Sequence, residues 1–131
     1  HCGVQNLVRT LNALYRKIDF WSYEDLCGEG FSWIEPNDSE NSVFSFIRKS
    51  KDNRTLLFVS NFTPVERKNY RLGVPHAGIW NEILNTDAQC FNGKNRGNGG
   101  KVQTEPLAWH HFSKSINIYL PPLSSLIFSL E

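Results

Sequence analysis

Acidic side chains crowd one stretch of the sequence and raise the question of carboxylate chemistry. Six of them fall between residues 24 and 40, namely Glu24, Asp25, Glu29, Glu35, Asp38 and Glu40. A glycosidase needs two carboxyl groups about 5–9.5 Å apart across the scissile bond, but any acidic loop can supply such a pair by chance. Because Asp and Glu are also common turn formers and solvated charges, we assign none of these residues a catalytic role.

The adjacent histidines His110 and His111 raise the question of a metal site. Neighbouring residues on a strand point to opposite faces, so two histidines there could not chelate one ion together. His1 and His76 are remote in sequence, and no cysteine or acid completes a ligand spacing. We therefore expect no metal site and no cofactor.

The three cysteines, Cys2, Cys27 and Cys90, lie far apart and form no C-x-x-C motif. An odd number of scattered cysteines argues against a disulfide framework and fits a reducing compartment, so we expect a cytoplasmic protein. A Cys–His nucleophile pair would require Cys27 or Cys90 to meet a histidine in the fold. The expected state of the Cys27 and Cys90 thiols is buried and inert.

A glycine-rich segment over residues 93–100 could in principle hold a phosphate with its backbone N–H groups. It does not match a Walker loop, because neither Ser nor Thr follows Lys94, and it lacks the G-x-G-x-x-G spacing between a strand and a helix. We predict a structural surface loop, with a ligand contact as the alternative.

The four tryptophans, Trp21, Trp33, Trp80 and Trp109, could stack on sugar rings through their large, flat and largely apolar faces. Most such residues in a small β domain belong to the core or an interface. Phe31 and Trp33, two apart on a predicted strand, share a face and are expected in the core. Trp109, beside the histidine pair and near a turn, is expected to be exposed.

The elements that must position these side chains are one helix followed by short strands. Apolar residues recur at helical spacing from Val4 to Ile18. After Asp19, short β-branched and aromatic runs alternate with Gly, Pro, Asn and Asp clusters, which indicate strands and turns. The predicted strands are Phe31–Ile34, Ser42–Arg48, Thr55–Asn61, Tyr70–Val74, Ile79–Leu84, Val102–Thr104, Ser115–Leu120 and Ser125–Leu130. This pattern predicts a mainly β fold, an antiparallel sandwich or barrel preceded by one amphipathic helix.

Length and composition exclude several classes of protein. The 131 residues fit one globular domain and are too few for a (β/α)₈ barrel of about 250 residues. The net charge of +1 and pI of 7.9 argue against nucleic acid as the partner, and no apolar run approaches the roughly 20 residues of a membrane helix. Because the chain begins at His1 and contains no methionine, we expect it to be part of a longer protein.

The sequence resembles the C-terminal region of bacterial glycogen branching enzymes, members of the α-amylase superfamily (glycoside hydrolase family 13). The similarity runs through nearly the whole chain, and the order and spacing of its motifs make it specific. The motifs are Gly3-Val4-Gln5, Leu11-Asn12, Tyr15-Arg16, Gly30-Phe31, Trp33-Ile34, Glu40-Asn41-Ser42-Val43, Ser60-Asn61-Phe62-Thr63-Pro64-Val65, Gly78 with Trp80 and Glu82, Leu84-Asn85-Thr86-Asp87, Gly97-Asn98-Gly99-Gly100 and Leu120-Pro121-Pro122-Leu123.

The resemblance implies that residues 1–20 match the last helix of a catalytic barrel with its linker, and residues 21–131 a C-terminal β-sandwich. The family's catalytic acids lie upstream and match no residue here, so the chain alone is expected to be inactive. The whole protein would cleave an α-1,4-glucan and transfer the chain to a 6-hydroxyl, forming an α-1,6 branch with retention. Two departures from the family pattern are Thr10, where an aspartate is expected, and His111, where a glycine usually follows the histidine.

The leading hypothesis is therefore a non-catalytic domain that stabilises the upstream barrel and contacts glucan, with Trp80 and Trp109 as glucan-contact candidates. The first alternative is an autonomous α-glucan-binding module; a small enzyme using the acidic cluster or Cys27 is the second. The apolar stripe of the helix needs a partner. We expect it to dock on the sandwich or to mediate self-association through Leu7, Leu11, Leu14 and Ile18.

Overall fold

The part of the chain that the structure describes contains one α-helix and eight strands. The computed structural model describes residues 1–18, 28, 30–50 and 53–130. Helix α1 and strands β1 to β8, with a short 3₁₀ turn at Gln89–Phe91, are in chain order α1 Cys2–Lys17, β1 Phe31–Glu35, β2 Val43–Lys49, β3 Thr55–Asn61, β4 Arg67–Val74, β5 Ile79–Asn85, β6 Lys101–Gln103, β7 Lys114–Leu120 and β8 Ser124–Leu130. All eight predicted strands and the predicted helix are confirmed; the largest shift is in β4, which begins at Arg67 rather than Tyr70.

The strands form two antiparallel sheets that pack as a sandwich. The larger sheet has six strands in the order β1-β2-β3-β8-β5-β6, and the smaller one pairs β4 with β7. Each pairing in both sheets is antiparallel. The fold class expected from the sequence, an antiparallel β-sandwich behind one helix, is confirmed.

The core lies between the two sheets and follows the two-residue period of the strands. Leu57 and Val59 of β3 and Leu126 and Phe128 of β8 point inward from the larger sheet. Opposite them, the smaller sheet contributes aliphatic side chains and one tyrosine, namely Tyr70, Leu72, Val74, Ile116, Ile118 and Leu120. Because alternate residues of each strand share a face, the other set of side chains is left on the outer surfaces.

Helix α1 docks on the outer face of the six-stranded sheet. Leu7, Leu14 and Ile18 pack against side chains that β3, β5 and β8 present outward, namely Leu56, Phe58, Ile83, Leu84 and Ile127. At Gly3 the helix approaches the 3₁₀ turn so closely that an added Cβ would lie 2.5 Å from the Phe91 carbonyl oxygen. The expectation of a docked helix is therefore met, with three of the four stripe residues engaged inside the chain.

A second apolar strip of α1 stays exposed beside the docked one. We call Val4, Val8 and Leu11 the helix seam; their side chains are 39–63% exposed. Their spacing of four and then three residues is that of a coiled-coil contact line. Within the described ranges, none of the helices combines the length and apolarity needed to cross a bilayer.

The histidine pair forms a tight turn instead of lying on a strand, so its predicted placement was wrong. Trp109 and Phe112 exchange both backbone hydrogen bonds, each at 3.0 Å, and pair as an antiparallel bridge. His110 and His111 occupy the two central positions with φ of 49° and 68°. Positive φ at both central residues is the signature of a type I′ turn, whose preferred residues are Asn and Gly.

Replacing His111 with glycine is expected to stabilise the chain by about 0.5–1 kcal/mol. The left-handed conformation costs a non-glycine residue about 1–2 kcal/mol, and the greater entropy of glycine in the unfolded chain offsets part of the gain. The measurement is chemical unfolding of the His111→Gly variant. His111→Ala, which keeps a Cβ at the same φ, is the control and should not stabilise. Equal stability of both variants would contradict this account of the turn.

Candidate functional site

A polar groove lies where the β1–β2 connection, the start of β4 and the Trp109–Phe112 turn meet. Residues 35–41, 66–71 and 109–110 contribute to its walls, and its volume is about 870 Å³. The lining combines carboxylates, amides, basic side chains and one indole. The antiparallel register of β4 and β7 places Gly73 opposite Ser115, which brings the Trp109 turn over β4.

Two neighbouring side chains hold the Asp38 carboxylate in this groove by hydrogen bonds. Tyr70 donates from its hydroxyl to Asp38 Oδ2 at 2.7 Å, and the amide of Asn41 donates to both carboxylate oxygens at 3.0 and 3.3 Å. Burial raises the pKa of the Tyr70 phenol, and its hydrogen bond to Asp38 raises it further. Tyr70 therefore remains a donor at neutral pH and fixes the orientation of the carboxylate.

The turn at the groove edge is held by His110. The backbone N–H of Gly73 donates to His110 Nδ1 at 3.1 Å, so Nδ1 must be unprotonated. Burial lowers the pKa of His110, opposed by the nearby carboxylates of Glu35 and Asp38. A Cβ on Gly73 would lie 2.1 Å from the Trp109 carbonyl oxygen. The turn can sit this close to β4 because position 73 lacks a side chain.

Trp109 and Trp80, the two candidates for glucan contact, have opposite environments. Trp109 lines the groove with its side chain 47% exposed, as expected, and its ring contacts that of His110 edge-on. Trp80 is fully buried at 0% exposure and donates from Nε1 to the His76 carbonyl. Since no face of Trp80 reaches solvent, the structure does not support it as a glucan contact.

The outer face of β1, β2 and β3 carries an aromatic patch that the sequence analysis missed. It consists of Phe31, Trp33, Phe44, Phe46, Phe58 and Phe62, joined by ring contacts with centroids 4.8–6.3 Å apart. Trp33 is 49% exposed, so the prediction that Phe31 and Trp33 share a face holds, but their placement in the core was wrong. Trp21 lies outside the described residues.

The glycine-rich segment is a structural loop, as predicted, and the backbone donors of Lys94, Asn95 and Arg96 are used within the chain. Asp87 accepts hydrogen bonds from the N–H groups of Lys94 and Arg96 at 3.4 and 3.1 Å, and from Arg96 Nε at 3.2 Å. An added Cβ on Gly93 would lie 2.1 Å from the Asp87 carbonyl oxygen. The loop thus folds around one carboxylate of its own chain.

The second half of the same loop is fixed by Asn98. Its amide donates to Glu82 at 2.8 Å and to the Tyr119 carbonyl at 3.0 Å, while its Oδ1 accepts the Tyr119 N–H at 2.7 Å. The loop therefore ties β5 to β7 across the edge of the sandwich. In the motif at residues 97–100, Gly97 is required by packing, since an added Cβ would lie 2.5 Å from Asn85 Nδ2, whereas Gly99 and Gly100 adopt positive φ of 68° and 94°.

The remaining candidates for chemistry are not brought together. Among the residues that the structure describes, no group of three His, Cys, Asp or Glu side chains could hold a metal ion. Cys90 is an exposed free thiol, contrary to the expected burial, and Cys2 is exposed as well; Cys27 is outside the described residues. Glu24, Asp25 and Glu29 also lie outside them, while Glu35 accepts a hydrogen bond from the Asn37 N–H at 2.7 Å.

Comparison with curated proteins gives matches along the whole chain. It is 45% identical over 131 residues to a 1,4-alpha-glucan branching enzyme GlgB of Saccharophagus degradans and 49% identical over 132 residues to that of Roseobacter denitrificans. The Aromatoleum aromaticum enzyme is 48% identical over 131 residues. Each match covers 100% of this chain but only 18–21% of the relative. The chain thus spans about a fifth of the length of these relatives and corresponds to their C-terminal part.

The region that matches lacks the catalytic barrel of those enzymes. A family model described as "Alpha amylase, C-terminal all-beta domain" matches residues 33–131. This range contains all of β2 to β8 and most of β1, that is, both sheets and the core between them. The chain belongs to the family of α-amylase C-terminal all-β domains.

Proposed function

We propose that this chain is the C-terminal domain of a cytoplasmic glycogen branching enzyme and that it stabilises the enzyme's catalytic barrel. The whole protein would cleave an α-1,4-glucan and join the released chain through an α-1,6 bond. The proposal is supported by the names of its relatives, by the match to their C-terminal part and by the exposed thiols Cys2 and Cys90, which suit a reducing compartment.

The helix seam is the observation that carries the proposed contact with the barrel. Helix α1 already buries Leu7, Leu14 and Ile18 against the sandwich, yet Val4, Val8 and Leu11 remain exposed next to them. A helix with an apolar stripe this wide is typical of one packed between two partners. The relatives are about five times longer than this chain, so the proposed second partner is the rest of the same protein.

The aromatic patch extends the same apolar surface. Phe58 belongs to the patch and also packs against the cluster beneath α1, so the two exposed apolar regions adjoin on one face of the six-stranded sheet. Contiguous exposed apolar surface of this kind marks an interaction site. We assign the helix seam and the neighbouring part of this face to the contact with the barrel.

Two other partnerships have weaker support. Self-association through Leu7, Leu11, Leu14 and Ile18 would have to displace the three of them that already pack inside the chain. A second copy could still pair through the helix seam alone. An autonomous glucan-binding module, the second candidate function, is favoured by the polar groove with its exposed Trp109.

The test introduces Val8→Glu and Leu11→Glu together in the whole branching enzyme. Each charge would enter an apolar contact, so we expect a loss of at least about 2 kcal/mol of stability and easier proteolytic release of this domain. The 131-residue chain with the same changes should lose much less stability, because Val8 and Leu11 are already 50% and 39% exposed in it. Ala13→Glu, on the polar side of α1, is the control and should change neither protein.

Two outcomes would overturn this assignment. Unchanged stability and proteolysis of the whole enzyme would remove the seam from the barrel contact. A stable dimer of the 131-residue chain in light scattering, converted to a monomer by Val8→Glu and Leu11→Glu, would assign the seam to a second copy instead.

A further inference from the structure

We propose that the polar groove binds a neutral oligosaccharide, a segment of α-1,4-glucan, with one glucosyl ring stacked on Trp109. The identity of the sugar rests on the proposed function; the site itself rests on the groove. Its volume of about 870 Å³ lies within the range of roughly 300–1,000 Å³ that ligand pockets have.

Trp109 supplies a stacking surface on a fixed turn. The two backbone hydrogen bonds between Trp109 and Phe112 close the turn, and the Gly73 N–H to His110 Nδ1 hydrogen bond fastens it to β4. The backbone that carries the indole is therefore in place before any ligand arrives, which reduces the entropy lost on binding. Its exposed apolar face matches the apolar C–H face of a pyranose ring.

Hydrogen-bonding groups converge beside that ring. The Asp38 carboxylate is oriented by Tyr70 and Asn41, and a carboxylate has about four acceptor positions, so it retains capacity for sugar hydroxyls. Glu35 and Asn69 also line the groove. A few positioned polar groups around one aromatic surface form the usual composition of a site for a small polar ligand.

The charge of the lining favours an uncharged ligand. Three carboxylates face three basic side chains, namely Glu35, Asp38 and Glu66 against Arg67, Lys68 and Arg71. Lys68 lies 3.6 Å from the Glu66 carboxylate, and Arg71 lies 3.5 Å from that of Glu105. The three negative and three positive side chains of the lining balance in number, so the groove carries no formal net charge that would favour a phosphate or a cation, while its donors and acceptors suit hydroxyl groups.

The groove and the helix seam share no residue. The seam belongs to α1 on the outer face of the six-stranded sheet, whereas the groove lies between the β1–β2 connection, the start of β4 and the Trp109–Phe112 turn. Binding at one surface does not require the other to be free. The domain can therefore hold glucan while it remains packed on the rest of the enzyme.

The experiment titrates the 131-residue chain with maltoheptaose and follows tryptophan fluorescence and amide NMR shifts. We expect saturable binding, with shifts centred on Trp109, Tyr70 and Asp38, and an affinity about tenfold or more lower in Trp109→Ala. Leu107→Ala is the matched control, because Leu107 is also 47% exposed, lies in the same segment and does not line the groove. Asp38→Asn provides a second variant that leaves the indole in place and should also weaken binding.

Three outcomes would overturn the proposal. They are no binding of maltoheptaose at millimolar concentration, equal affinity of Trp109→Ala and Leu107→Ala, or competition by inorganic phosphate. Equal binding of cellohexaose would overturn the assignment to α-glucan. The barrel contact is tested separately, through Val8 and Leu11 in the whole enzyme. A failure of glucan binding would therefore not affect the result of that test.

Discussion

Replacing Trp80 with alanine is expected to destabilise the folded chain by about 3–5 kcal/mol, the usual cost of truncating a large buried aromatic residue. Trp80 has 0% exposure and belongs to the main core cluster between the two sheets. Its Nε1 donates to the His76 carbonyl at 3.3 Å, so the truncation also removes a hydrogen bond from the turn before β5. Chemical unfolding of the purified chain measures the loss.

Trp109→Ala is the control for this substitution, because it removes the same side chain from an exposed position. Surface substitutions usually change stability by less than about 0.5 kcal/mol. The loss of stability should therefore be several-fold larger for Trp80→Ala than for Trp109→Ala. Trp80→Phe should fall between them, since it keeps most of the buried ring. Similar stability of all three variants would contradict the placement of Trp80 in the core.

Helix and strand positions could be predicted from the sequence because each type of element has its own local pattern. The apolar residues of α1 recur every three or four positions, whereas β3 and β8 are short continuous apolar runs bounded by polar residues. The turn-forming residues between these runs then mark where one strand ends and the next begins. Local pattern was sufficient for the eight strands, which long-range pairing later joins into two sheets.

The outer faces could not be predicted in the same way. β2 and β3 carry apolar residues on both sides, so alternation alone does not say that Phe44, Phe46 and Phe58 point away from the core. The aromatic content of Phe31 and Trp33 favoured burial, but pairing with β2 places both on the outer surface. Which face is covered depends on where α1 docks, and that is a tertiary contact.

The groove depends even more on long-range contacts. Asp38 and Tyr70 are 32 residues apart, and Gly73 and His110 are 37 apart. The pairing of β4 with β7 brings the Trp109 turn to its place. Exposure of Trp109 could be predicted from its position near a turn, but its neighbours could not. The type I′ geometry was hidden because histidine, rather than glycine, occupies position 111.

Replacing Asp87 with alanine is expected to lower the free energy of unfolding by about 2–4 kcal/mol, the largest loss after that of Trp80→Ala. Asp87 is buried and accepts from the N–H groups of Lys94 and Arg96. Hydrogen bonds to a charged acceptor contribute about 1.5–3 kcal/mol each, and truncation leaves partly buried donors unsatisfied. Unfolding measurements and amide hydrogen exchange across residues 93–100 should both report loss of the loop. Unchanged exchange there would contradict this role.

The pH dependence of stability separates the charge of Asp87 from its shape. Burial alone would raise the pKa of this carboxyl, but hydrogen bonds from the Arg96 side chain and from the Arg96 and Lys94 N–H groups outweigh it, so the pKa lies below its ordinary value. The stability that Asp87 contributes is therefore present above the unfolded pKa of about 3.9 and lost as pH falls through the lower folded value. The unmodified chain and Asp87→Ala should thus converge in stability on acidification. Asp87→Asn, which keeps one acceptor oxygen without the charge, should be intermediate at pH 7 and lack this acid-dependent change, because the carbonyl can still receive the loop's backbone donors.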